Sequence, residues 1–192
     1  MKQIVGILLV FALSLSAQIS SSAKKKEPWR DSTGNVHSYQ SVGRLAIKEV
    51  RWDWRPVGWI IEFGPGRTGY LGMTYGSQKK IVVWIRPEHS PTQVANTLTH
   101  ELAHAFQFSY FTQKLCEEWL AARKLPENTS WSPPCKGCID FGFGAGDFAE
   151  SVKWTLQSPG VIFRSKLGPP PNKEQQALIR KWLTTLPKMA GM

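Results

Sequence analysis

Apolar and polar residues along this chain first alternate with a short period and then switch to a helical one. RLAIKEVRW (44–52) alternates in places and predicts a strand. VGWIIEF (57–63) is rich in β-branched and aromatic residues and predicts another. GPGRTG supplies turn residues, YLGMTY (70–75) a short strand, GSQKK a second turn and IVVWIR (81–86) a further strand. Three or four strands in succession predict a small antiparallel or mixed sheet.

The helical period begins after Arg86. Ser90 suits an N-cap, Pro91 the first helical position, and Gln93 completes a capping box. Val94, Leu98, Leu102, Ala105 and Phe108 then form one stripe, predicted to face the core. A second helix is predicted over 113–124. A loop dense in Pro and Gly follows, and Asp147 is predicted to N-cap a third helix, with Glu150 as its capping-box partner. A last helix over 173–186 carries Leu178, Trp182 and Leu186 as an apolar stripe. The fold class expected is α+β, with the sheet packed on the helix that starts at Pro91.

Composition extends this picture at the N-terminus. Lys2 followed by the uncharged apolar run Ile4–Leu15 fits a secretory signal peptide, too short to span a bilayer comfortably. We expect a signal peptide over 1–23, a polar basic linker over 24–43 and one domain over 44–192. Cleavage after Ala17 and an uncleaved anchor are the alternatives. The product would be secreted, periplasmic or held at the cell surface. Residues 1–23 hold one lysine and no acid, so their removal takes the net charge from +10 to +9. Such a charge favours anionic surroundings such as a cell surface. No nucleic-acid-binding motif is present, and a monomer is expected. Export also makes a disulfide reasonable among Cys116, Cys135 and Cys138, with the pairing open.

The chemistry lies in THELAHAFQF (99–108). Histidines at i and i+4 of a helix share a face and can converge on one zinc ion. That makes His100 and His104 the first two ligands. Glu101 beside them is placed to act as general base toward a metal-activated water. A catalytic zinc wants a third protein ligand and an open position. Gln107 and Tyr110 occupy the positions where a longer motif would carry glycine and a third histidine, and no histidine follows His104. His89 is poorly placed, and His37 would have to fold back. The third ligand is therefore expected among the downstream acids Glu117, Glu118, Glu127, Asp140, Asp147, Glu150 and Glu174. Glu150, in GAGDFAE, is favoured for its glycine-rich approach and its place at a helix start. Glu118, in EEWLAA, is second.

The strand series, HELAH and GDFAE together resemble the zincin metallopeptidases, specifically small gluzincins. HELAHAF, EWLAARKLP, WSPPCKGC and FGAGDFAE are similar to small exported bacterial proteins of metallopeptidase type. The resemblance covers about residues 44–186. It implies a zincin-like fold, one Zn(2+) per chain held by His100, His104 and Glu150, and Glu101 as base in hydrolysis of a peptide or protein substrate. In thermolysin-like members the glutamate follows the second histidine much sooner. The resemblance also implies an edge strand that pairs with extended substrate, for which Ile81–Arg86 is the candidate and an interior strand the alternative. Tyr70, Tyr75, Tyr110 and Arg164 are unranked candidates for an oxyanion donor. The competing reading is a catalytically inactive, zinc-containing binding protein of the cell surface.

Overall fold

The computed structural model describes residues 29–30, 36–135, 137–157 and 159–191. The expected signal peptide and half of the expected linker lie outside them. The chain is α+β. A two-stranded antiparallel pair, β1 (Trp29–Arg30) and β2 (Val36–His37), precedes α1 (Tyr39–Glu49). Then come β3 (Ile60–Pro65), β4 (Gly72–Tyr75), β5 (Lys80–Ile85), α2 (Pro91–Tyr110), α3 (Gln113–Ala122), α4 (Gly144–Gln157) and α5 (Lys173–Ala190). Among the described residues no helix is long and apolar enough to cross a membrane.

The sheet is mixed, with strand order β3-β5-β4; β3 runs parallel to β5 and β4 antiparallel to it. The strand expected at the edge, IVVWIR, is therefore the central one. The reason is burial: Ile81, Val83 and Ile85 point inward and are at most 1% exposed, while both flanks of β5 are used for pairing. The edge that faces away from β3 belongs to β4.

The stretch expected to open the sheet is helical instead. Ser38 caps α1 by accepting from the Ser41 N–H at 3.2 Å. Val42 and Ala46, one turn apart, are fully buried, whereas Leu45 is 40% exposed. The helical period thus accounts for the burial and the alternation in 44–52 does not. α1 and α2 pack on each other and on the inner face of the sheet.

α2 begins as expected. Ser90 accepts from Gln93 N–H at 3.3 Å while the Gln93 side chain accepts from Ser90 N–H at 2.8 Å. Val94, Leu98, Leu102 and Ala105 face the core, but Phe108 is 65% exposed and stacks on Trp59, with ring centroids 5.9 Å apart. α4 starts three residues before Asp147. Its first N–H groups are satisfied by loop carbonyls, Gly144 by Ser130 at 3.0 Å and Ala145 by Trp131 at 2.8 Å, so no side-chain cap is needed. α4 lies along α2, and Phe148 meets Phe111 and Trp119 at centroid distances of 4.8 and 5.2 Å in an aromatic core closed by Trp182 of α5. Cys135 and Cys138 form a disulfide, leaving Cys116 as a buried free thiol.

Candidate metal centre

His100 and His104 lie one turn apart on α2, with ring centroids 4.8 Å apart. Their Nε2 atoms are separated by 3.2 Å. The third atom of the group comes from the loop between the disulfide and α4: Asp140 Oδ2 is 2.6 Å from His104 Nε2 and 3.4 Å from His100 Nε2. These three side chains form a group able to hold a metal ion. Donors at zinc distance in a tetrahedron stand about 3.3 Å apart. The two edges that meet at His100 match that spacing, and the third has hydrogen-bond length. Two imidazoles and one carboxylate are a donor set suited to zinc, so the residues present fit the ion expected from the motif.

Asp140 is delivered by close backbone packing. Its carbonyl accepts from Phe143 N–H at 2.8 Å and abuts the first turn of α4. A Cβ on Gly146 would stand 2.2 Å from the Asp140 carbonyl oxygen, so only glycine permits this approach. The neighbouring segment is tied in by Lys166 N–H, which donates to the Phe141 carbonyl at 2.7 Å. Tyr70 OH donates to the Gly137 carbonyl at 3.4 Å, linking the same loop to the β4 side.

Glu150 is not in the converging group. Its Oε1 faces the other ring nitrogen of His100, Nδ1, at 2.9 Å. The Lys153 ammonium donates to the same oxygen, and Arg164 N–H donates to Oε2 at 2.6 Å. Ligation through Nε2 would leave Nδ1–H to donate to Glu150. In that state the contact would orient the ring and set its tautomer. Glu150 is 1% exposed, and this depth explains why it meets His100 from behind. Asp147 is buried too, but its carboxylate is taken by Arg123 at 2.8 and 2.9 Å, Trp119 Nε1 at 3.1 Å and Ser165 OH at 2.6 Å. Glu118 lies exposed on α3. His89 accepts from Arg86 N–H at 3.3 Å, away from the group. His37 falls in β2, and its side chain lies outside what the structure describes.

The electrostatics follow from this crowding. Burial opposes charge on His100, yet Asp140 and Glu150 on its two sides outweigh it and push its pKa up to about 10. Burial also works against ionised Asp140 and Glu150, but their histidine hydrogen bonds hold both carboxyls below the ordinary carboxylate range. Burial lowers the Lys153 pKa, partly offset by Glu150.

Glu101 lies beside the histidines, 7% exposed, with its side chain turned to β4. Oε2 is 2.7 Å from the Thr74 hydroxyl. A Cβ on Gly72 would stand 2.6 Å from Glu101 Cγ and 2.7 Å from Oε1. Among the oxyanion candidates, the Tyr110 hydroxyl is committed to the Pro56 carbonyl at 2.7 Å and Tyr70 to Gly137. A separate cavity of about 540 Å³ lies at the C-terminal ends of β3 and β5, lined by Arg67, Arg86 and Glu88 among others, and contains none of the metal-site residues.

Comparison with protein-family models, with curated proteins and with solved structures gives no match. Asp140 was one of several downstream acids in the sequence, without helical or strand periodicity to raise it above the rest. Its signal was indirect: the glycines of DFGFGAG, which allow the loop to press against a helix start. Lys153, Thr74, Gly72 and Gly146 had no signal in spacing, because each acts through a contact made only in the fold.

Proposed function

We propose that the chain is a zincin-type zinc metallopeptidase, with His100, His104 and Asp140 as the metal ligands and Glu101 as the general base. The observation that carries this reading is the convergence of His100 Nε2, His104 Nε2 and Asp140 Oδ2. Glu101 stands next to them in sequence and turned toward a sheet edge. A zinc ion bound there would polarise a scissile carbonyl and lower the pKa of a coordinated water. Glu150 holds the His100 ring with Nε2 toward the ligand group. Glu101 takes a proton onto its carboxylate during attack and returns it to the leaving amine. An aspartate in the third place departs from the gluzincin pattern, in which a glutamate stands there.

β4 supplies the reason for a peptide substrate. Trp84 N–H donates to the Leu71 carbonyl at 2.8 Å, which makes 71/84 a hydrogen-bonded pair of the antiparallel ladder. Pairs alternate, so Gly72 and Thr74, opposite Val83 and Ile81, direct their N–H and C=O groups away from β5. An extended peptide can add to that edge directly above the base. The basic charge of the chain favours a substrate in anionic surroundings, such as a cell-wall peptide, and agrees with the expected export.

The test is Glu101→Gln in the full chain. Zinc content at the wild-type level with peptide hydrolysis abolished supports the enzyme. Wild-type protein that holds zinc but cleaves no peptide in a broad library supports the inactive binding protein instead.

A further inference from the structure

The contact between Thr74 and Glu101 assigns a task to a residue that supplies no metal ligand. Thr74 lies on the inner face of β4, opposite Ile81. Its hydroxyl is 2.7 Å from Glu101 Oε2 and 3.0 Å from the Glu101 carbonyl. One proton thus has two acceptors, both on the same residue. Left to itself, Glu101 would rotate about three side-chain torsions, and a base misplaced by about 1 Å can cost about a hundredfold in rate. Two neighbours on one strand restrict it. Gly72 leaves the space that Cγ and Oε1 fill, and Thr74 holds Oε2. Among the described residues Thr74 is the single side-chain donor to this buried carboxylate.

We propose that Thr74 is a positioning residue for Glu101, and that through it β4 ties the strand that seats the peptide to the group that moves the proton. Thr74 contributes no atom to the metal group, and its side chain acts through Glu101. Its main-chain groups face the substrate edge while its hydroxyl faces the base, so one residue sets the spacing between the two. The inference rests on the metallopeptidase reading above.

The experiment compares Thr74→Val, which keeps the shape and removes the hydroxyl, with Thr74→Ser, which restores it. In Thr74→Val, kcat is expected to fall about 10- to 100-fold with KM, zinc stoichiometry and Tm near wild type, and Thr74→Ser is expected to recover most of the loss. Unchanged kcat in Thr74→Val overturns the proposal. So does a joint loss of zinc, KM and Tm that serine does not rescue, because that pattern marks a purely structural clamp. A second readout does not need turnover. In the cobalt(II)-loaded protein the visible spectrum is titrated with pH for wild type, Glu101→Gln, Thr74→Val and Thr74→Ser. The midpoint should move in Glu101→Gln and in Thr74→Val but not in Thr74→Ser; movement in Glu101→Gln alone overturns the role of Thr74. A protein that binds cobalt and cleaves nothing sinks the peptidase reading, and the spectrum still decides Thr74.

Discussion

Asp140 reaches across 36 residues to place Oδ2 2.6 Å from His104 Nε2. Glu150 meets the site from the opposite side, through His100 Nδ1. The two acids should therefore differ in what they do for zinc. Asp140→Ala removes a proposed ligand and is expected to weaken zinc binding beyond 100-fold. Glu150→Gln removes a partner of a ligand and should cost about 10- to 100-fold. Competition with a chromophoric chelator measures both. Full affinity in Asp140→Ala with complete loss in Glu150→Ala would restore Glu150 as the third ligand.

Gly146 tests whether the loop's closeness matters. Gly146→Ala puts a Cβ 2.2 Å from the Asp140 carbonyl oxygen and 2.5 Å from its carbon, both backbone atoms that cannot swing aside. Gly142, in the same loop, has nothing within 4 Å of its Cβ position. Gly146→Ala is expected to lower Tm and zinc affinity together, while Gly142→Ala leaves both near wild type. Equal behaviour of the two variants would refute the close-packing account.

These two residues also mark where sequence reasoning stops. The start of α2 is local: Ser90, Pro91 and Gln93 satisfy one another within a single turn, and HELAH follows inside the helix they open. The two proposed histidine ligands and the proposed base are legible there because helix geometry alone brings them together. Asp140 is brought in by contacts between distant segments, with Gly146 behind it and the β4 side reached through Tyr70 and Gly137. No spacing rule carries that information. α1 fails for a different reason. Its residues satisfy an alternating and a helical period at once, and the burial of Val42 and Ala46 against the sheet decides between them. The identity of the edge strand likewise depends on pairing order, since IVVWIR reads equally well as an edge or an interior strand.

Asp147 is expected to matter for stability rather than metal binding. It is fully buried and bonded to Arg123, Trp119 and Ser165. Asp147→Ala leaves the Arg123 guanidinium, with its side chain 3% exposed, without its carboxylate. Removing one partner of a buried pair costs about 3–5 kcal/mol, on the order of 10 °C in Tm for a chain of this size. Calorimetry on the zinc-loaded variant is the measurement. A change of only about a degree would show that the pair contributes little.

The fall of stability above pH 6.5 expected of the chelated protein should flatten once zinc is bound. In the chelated protein His100 is stabilised in its charged form by Asp140 and Glu150. Its pKa rises from 6.5 to about 10, so its contribution is fully present below pH 6.5 and disappears as pH climbs toward 10. Asp140 and Glu150 shift the other way, below their ordinary 3.8 and 4.5. Their contribution is present above those values and is lost as pH falls through the lowered ones. Chelated protein should thus be most stable between about pH 4.5 and 6.5 and should weaken from there toward pH 9. Zinc competes with a proton for His100 Nε2, so each pH unit over that upper range should tighten binding by up to about tenfold. The gain in Tm on adding zinc should accordingly grow with pH. Thermal melts from pH 4 to 9, with chelator and with excess zinc, measure both trends. Chelated protein that becomes steadily more stable from pH 6.5 to 9 would show that the carboxylates do not hold His100 in its charged form.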